Sequence, residues 1–445
     1  MTSVKAYPPS HKATAGKKQK FYCAVENKGG TTGTPVLCYK YFVAGDGSFY
    51  MKKLWQTNWE LDKKVEAFET KEDLAMDQKL LKYDLLGTKA HAKSLFLMGI
   101  YGKKELRQVL DCLNSLTILV EQGKFHLKMG DEDMHTAIEA HLTEKLGLAG
   151  EKIHTARSRN DQVATATRLY IKENLEEIIK KVKAAMRLID QSGDKYSKLF
   201  MPGFTHTRKA MPYTFGAWLH SFSESFQDDV IQMKAALKIT DKSALGTGAG
   251  YGLPLDYPRS AAASDIGFSA IIENALYCQN SRGKSEAVVV SSLISLALTI
   301  NKFVSDLLFF SSDTLGFIEI DKSLTSGSSI MPHKKNLDIA ELLRSKVHRL
   351  TANYINITGL AANLMSGYHR DFQEIKRPLI DSIEQTLESL EMMLILVKNL
   401  KPVKEKLEQA DTPELHAAEE AYKLVKKGHS FRQAYRRIAA RYRQR

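Results

Sequence analysis

Cysteine is scarce in this chain. Only four occur in 445 residues, Cys23, Cys38, Cys112 and Cys278, and no two stand in C-x-x-C spacing. That excludes the usual sequence signs of a structural zinc site or a dithiol redox centre, and it fits a reducing, cytoplasmic setting. A long unbroken apolar run is also missing. The most apolar stretch, about 287–300, is interrupted by serines and threonines and flanked by Glu286 and Lys302, which argues against a membrane span. No apolar core near the start has the form of a secretory signal. Gly246-Thr247-Gly248-Ala249-Gly250-Tyr251-Gly252 is glycine-rich, but it lacks the Lys-Ser/Thr ending of a phosphate-binding loop, and no strand is expected to lead into it. It reads as a tight backbone crossing near a site. No internal repeat is present.

Acidic residues are nearly absent from the two ends. Residues 1–50 hold seven lysines against Glu26 and Asp46, and 422–445 hold nine Lys/Arg and no acid. The net charge of +13 therefore sits at the termini, and the body is close to neutral. A nucleic-acid groove needs basic residues spread over a folded face, so no nucleic-acid partner is expected, and no membrane partner either. Residues 1–50 also lack helical periodicity. They are expected to be a disordered extension or an over-long gene prediction ahead of a natural start at Met51-Lys52-Lys53-Leu54-Trp55.

From Met51 onward the chain reads as helical. Ile171, Leu175, Ile178, Val182, Met186 and Ile189 fall three or four apart and form one stripe of a long helix. Residues 285–310 are apolar nearly all round, the mark of a helix at the centre of a bundle. Further helical patterns cover about 338–364 and 377–399, and another runs to about Leu237 with Pro212 near its first turn. Strand signals are sparse, the best being 316–320. Several helices of this length predict an all-α bundle.

Four polar segments interrupt the helices. Residues 154–162 carry Arg157 and Arg159, able to grip carboxylates, with Asn160 and Gln162 to orient a polar group; Ser158 or Asn160 also suits a helix cap. Residues 201–208 read as a turn into a helix, with Thr205 beside His206, a proton carrier near neutral pH. Residues 327–336 mix Ser328, Ser329, His333, Lys334, Lys335 and Asn336 between a glycine and a proline. That mixture suits a mobile loop with a base beside an anion clamp, and a serine there needs Lys334 or loop amides to stabilise its oxyanion. Residues 366–376 add Tyr368, Gln373 and Lys376: a phenol, an amide and a cation.

The run G-S-S-x-M-P-x-K-x-N at 327–336 resembles the signature of the fumarase/aspartase superfamily, whose members cleave a C–N or C–O bond beta to a carboxylate and release fumarate. R-S-R-N-D-Q followed by V-A-T at 157–165 narrows the resemblance to the argininosuccinate lyases. Residues 84–91, the pair Glu132-Asp133 and residues 431–435 are similar as well, so the resemblance runs from about Met51 to the C-terminus. It implies an all-α, three-domain lyase fold with a long central bundle, divided at about 51–156, 157–405 and 406–445. It implies a homotetramer in which each active site draws on three subunits, and a reaction without metal or organic cofactor that splits argininosuccinate into arginine and fumarate. It assigns Ser328 as the proton-abstracting base, His206 as the catalytic histidine, and Glu341 as the acid raising its basicity. Lys334 and Asn336 would hold the carboxylate, and Thr88, Arg159, Asn160, Thr205, Tyr368, Gln373 and Lys376 would bind substrate. The sequence departs from the family at Ala156, where glycine is usual, at Thr207-Arg208, at Leu337 and across 280–284. Two alternatives are a sister enzyme such as adenylosuccinate lyase, suggested by His333 after M-P, and a crystallin-like structural protein on the same fold.

Overall fold

The computed structural model describes residues 61–442 together with four short upstream strands, β1 (Tyr22–Cys23), β2 (Val36–Leu37), β3 (Tyr41–Val43) and β4 (Phe49–Met51). Apart from these, the expectation for residues 1–50 lies outside the described residues. The chain divides into two compact units, residues 1–79 with 107–153 and residues 80–106 with 154–445.

Helices α1 (Lys63–Leu97) and α2 (Lys103–Glu121) open the helical part of the chain, followed by α3 (Met134–Leu146) and α4 (Leu148–Glu151). Asp133 caps α3, accepting from the Thr136 amide at 2.7 Å. Within the first unit, Asp77 accepts from the Met134 amide and Gln78 from the Leu127 amide, so side chains of α1 satisfy the loop before α3.

The second unit is built on five long helices: α5 (Arg159–Lys195), α6 (Phe215–Thr240), α9 (Lys284–Phe310), α10 (Asp338–Ala361) and α11 (Lys376–Lys398). Two short helices, α7 (Arg259–Asp265) and α8 (Ala275–Asn280), lie between α6 and α9. The stripe expected on α5 is buried at Ile171, Leu175, Ile178, Val182 and Ile189, with Ala185 filling the position beside half-exposed Met186. Helix α9 packs against α6, α10 and α11 and is the centre of the bundle. By length and composition alone it is long and apolar enough to cross a membrane, longer than the 287–300 run suggested. It nevertheless buries Ser285, Glu286, Ser292 and Thr299. Asp229 of α6 accepts hydroxyls from Ser295 (2.6 Å) and Thr299 (2.7 Å), so the buried polar groups pair across the helix interface. The architecture is an all-α helical bundle.

Two local expectations are corrected. Residues 201–208 do not lead into a helix. They form the antiparallel hairpin β5 (Phe200–Thr205) and β6 (Arg208–Thr214), in which Pro202 faces Pro212. Pro212 is thus a strand residue, tolerated because a two-stranded ribbon leaves one edge of each strand unpaired. Helix α6 starts after Thr214, whose hydroxyl accepts from the Ala217 amide. The glycine-rich segment 246–252 does follow a strand, the two-residue β7 (Lys242–Ser243), which pairs in parallel with β8 (Ala270–Ile271). The strand expected near 316–320 is β9 (Ile318–Ile320), paired with β10 (Leu400–Pro402). Helices α12 (Lys404–Gln409), α13 (Ala417–Lys426) and α14 (Phe431–Tyr442) end the described chain, the last two closing on Ala421, Ala434 and Ile438.

Candidate active site

Every candidate residue lies in the second unit, in three groups. The first is the 326–336 loop. Ser326 and Asn336 exchange both backbone hydrogen bonds at 2.9 Å, which pinches the loop shut at its base. The Ser326 hydroxyl also bonds Asp338 at the start of α10. Inside the loop, Ser328 Oγ accepts the Ile330 amide at 3.3 Å and the Met331 amide at 3.1 Å. Backbone donors aimed at a serine oxygen stabilise developing negative charge on it. The apolar tip is open: Ile330 is 86% exposed. Lys334 and Glu341, the latter in the first turn of α10, are exposed, and neither side chain has a partner among the described residues.

The second group is the hairpin tip. His206 and Thr207 both have left-handed backbone (φ 52° and 58°), so they are the central residues of a two-residue primed turn that matches strand twist. Phe204 anchors the hairpin by packing on Phe309 and Phe310 at the end of α9 and on Phe317 just before β9. The turn thereby presents Thr205 and His206 to solvent on a rigid base. The His206 imidazole has no hydrogen-bonding partner among the described residues.

The third group has two parts, the start of α5 with Thr88 of α1, and the 366–376 segment with Asn280 and Arg282. Ser158 caps α5 with Asp161 in a capping box, which places Arg159 and Asn160 in the first helical turn. Arg157 does not face outward as a free grip. Its side chain is buried against Asp84 (3.5 Å) and donates to the Thr88 hydroxyl at 3.0 Å. Thr88 is itself wholly buried, a support under Arg157 in this chain. Asp161 is also fully buried. Its carboxylate accepts the amides of Ser158 (3.1 Å), Gly246 (3.2 Å) and Gly248 (3.0 Å). Burial pushes its pKa up to about 6, with Arg157 and the amides opposing the rise. Ala156, where the family usually has glycine, has φ 60°, a conformation that costs an alanine energy.

In the 366–376 segment, Arg282 stacks over Tyr368 and Phe372 and donates to the Phe372 carbonyl at 3.4 Å. Asn280 bonds Ser366 Oγ and the Gly367 amide, each at 3.2 Å. Tyr368 stays partly open, Gln373 is half-buried, and Lys376 is buried as the first residue of α11. Within the divergent stretch 280–284, Gly283 is sterically confined: it has φ 78°, and a Cβ there would lie 2.4 Å from Ala361 Cβ. Sequence reasoning missed Asp161 and Arg282. The one signal for Asp161 was its place three residues after a capping serine; Arg282 stood in a segment read only as divergent. Among the described residues no cluster of His, Cys, Asp and Glu is arranged to hold a metal ion.

A bundle of long helices carries these three groups, and comparison with known proteins shows its class, a lyase. The lyase family profile matches residues 58–351. The fold is shared with a class II fumarase from Schistosoma mansoni (TM-score 0.73, 15% identity, 90% of this chain and 95% of that one). An argininosuccinate lyase of Thermotoga neapolitana is 42% identical over 391 residues, 88% of this chain and 98% of its own length. Another from Bacteroides fragilis is 36% identical over 87% of each chain. The chain belongs to the argininosuccinate lyase family.

Proposed function

We propose that this carbon–nitrogen lyase splits argininosuccinate reversibly into L-arginine and fumarate, with Ser328 as the base. The observation that carries the reading is the seat of Ser328 Oγ beneath the Ile330 and Met331 amides, in a loop that also bears Lys334 and Asn336. A proton on carbon next to a carboxylate is weakly acidic. Its removal needs preorganised positive charge where negative charge develops, and Lys334 with Asn336 supplies that at the carboxylate. The electron pair of the broken C–H bond forms the new double bond as the C–N bond breaks. The departing guanidino nitrogen takes a proton, donated by His206 directly or through water, with Glu341 raising the basicity of His206. Thr88, Arg159, Asn160, Thr205, Tyr368, Gln373 and Lys376 bind or support the rest of the substrate. Closure of the 326–336 loop excludes water and strengthens the field.

We further propose a homotetramer that completes each site from several copies. Ile231, Ile239, Leu298, Leu342 and Ile355 are large exposed apolar residues on the bundle helices α6, α9 and α10, and a groove of about 610 Å³ runs beside α9. The side chains of His206, Lys334 and Glu341, without partners among the described residues, are consistent with contacts made by another copy. We place the enzyme in the cytoplasm and in arginine biosynthesis; Cys112 and Cys278 are free thiols, as in a reducing compartment.

The test is fumarate release, followed by ultraviolet absorbance, from purified protein given argininosuccinate, adenylosuccinate, malate or aspartate separately. Release from argininosuccinate alone, lost in Ser328→Ala, is the expected result. Release from another substrate overturns the assignment, and full activity in Ser328→Ala overturns the role of the base.

A further inference from the structure

The glycine-rich segment 246–252 has no part in the elimination chemistry, yet it touches both stretches that carry the third group of substrate residues. At one end the Gly246 and Gly248 amides donate to Asp161 Oδ2, while Oδ1 of the same carboxylate accepts the Ser158 amide. Asp161 is the next residue after Arg159-Asn160. At the other end Gly250 lies on Gln279: a Cβ added there would sit 2.8 Å from Gln279 Cγ. The Tyr251 hydroxyl likewise lies 3.1 Å from where a Cβ of Gly367 would be. Gln279 is fully buried, and its neighbour Asn280 bonds Ser366 and Gly367, immediately before Tyr368. A continuous line of contacts therefore runs from Asn160 through Asp161, the glycine loop and Asn280 to Tyr368.

We propose that Asp161 is a positioning residue: by holding the glycine-rich loop it sets the Arg159-Asn160 turn and the Tyr368 segment at the spacing that argininosuccinate requires. The inference rests on the proposed function for its substrate. A carboxylate is needed because three amide donors converge on one side chain, and only an acceptor-only group meets them all; an asparagine would turn its own N–H donors against one set. Glycines are needed because the loop is left-handed at Gly246, Gly248, Gly250 and Gly252 (φ 79°, 59°, 108° and 84°).

The experiment compares wild type, Asp161→Asn and Gly250→Ala by fumarate-release kinetics and by amide hydrogen exchange. Gly250→Ala disturbs the far end of the loop without touching Asp161, so it carries the test if Asp161→Asn fails to fold. Small misplacements of binding groups cost up to about 100-fold, so kcat/KM is expected to fall by about 10- to 100-fold in both variants, mostly through KM. Exchange is expected to rise at 246–252 and also at 366–368. A variant that melts lower but keeps kcat and KM well below its melting temperature, with faster exchange only near 158–165, overturns the proposal: Asp161 would then be a helix cap and no more. If wild type releases no fumarate from argininosuccinate, the proposed function fails. Exchange then decides the coupling alone, with faster exchange at 366–368 supporting it and unchanged exchange there overturning it.

Discussion

Replacing Asp84 by asparagine tests how the Arg157 support works. The two side chains are 4% and 1% exposed and lie 3.5 Å apart. At an effective dielectric of about 20, unit charges at that separation attract by about 5 kcal/mol. Asp84→Asn keeps the volume and removes the charge, leaving the guanidinium buried with the neutral Thr88 hydroxyl and the more distant Asp161 carboxylate. Breaking one side of a buried pair costs about 3–5 kcal/mol. At about 2 °C per kcal/mol, the melting temperature should fall by roughly 6–10 °C. Arg157 directly precedes Ser158, the cap of the helix that carries Arg159 and Asn160, so kcat/KM for argininosuccinate should fall as well. The double variant Asp84→Asn/Arg157→Met removes the stranded charge and should recover at least half of the lost stability, since apolar replacement of a buried pair is often nearly neutral. Thermal melts of the three proteins decide the matter. A single variant within about 2 °C of wild type, or a double variant less stable than the single, refutes the reasoning.

Besides His206, Thr207 and Ala156 stand in left-handed backbone without being glycine or asparagine, among the described residues. Thr207→Asn and Ala156→Gly should each raise stability by about 1 kcal/mol, read as a small rise in melting temperature; a fall in both means the neighbouring contacts outweigh the strain. Asp161 supplies a pH test. Its pKa in the fold is pushed up to about 6, with Arg157, Tyr257 and Cys278 facing it. A raised carboxyl pKa stabilises the fold while protonated, fully below about pH 4, and that contribution is lost as pH rises through about 6. The melting temperature of wild type should therefore drop relative to Asp161→Asn between about pH 4 and 6, and a gap that stays constant across this range sinks the assignment.

The sequence alone determined the elements whose causes are local. The 3.6-residue stripe from Ile171 to Ile189 and the apolar run near 285–310 specify helices and buried faces through periodicity, which needs no knowledge of distant residues. A cap at Ser158 or Asn160 was readable for the same reason, and so was the dense polar loop around Ser328; the structure selects Ser158. Tertiary structure decided what depends on partners far along the chain. Pro212 lies in a strand because Phe204 packs on the end of α9 and the facing residues pair across a two-residue turn. Arg157, just before α5, points inward because Asp84 and Thr88 of α1 are there to receive it. Asp161 meets Gly246 and Gly248 only after some eighty residues of chain return to it. Sequence periodicity reports which face of an element is buried; it carries no information about which distant group will satisfy a buried charge, and that choice is made when the helices pack.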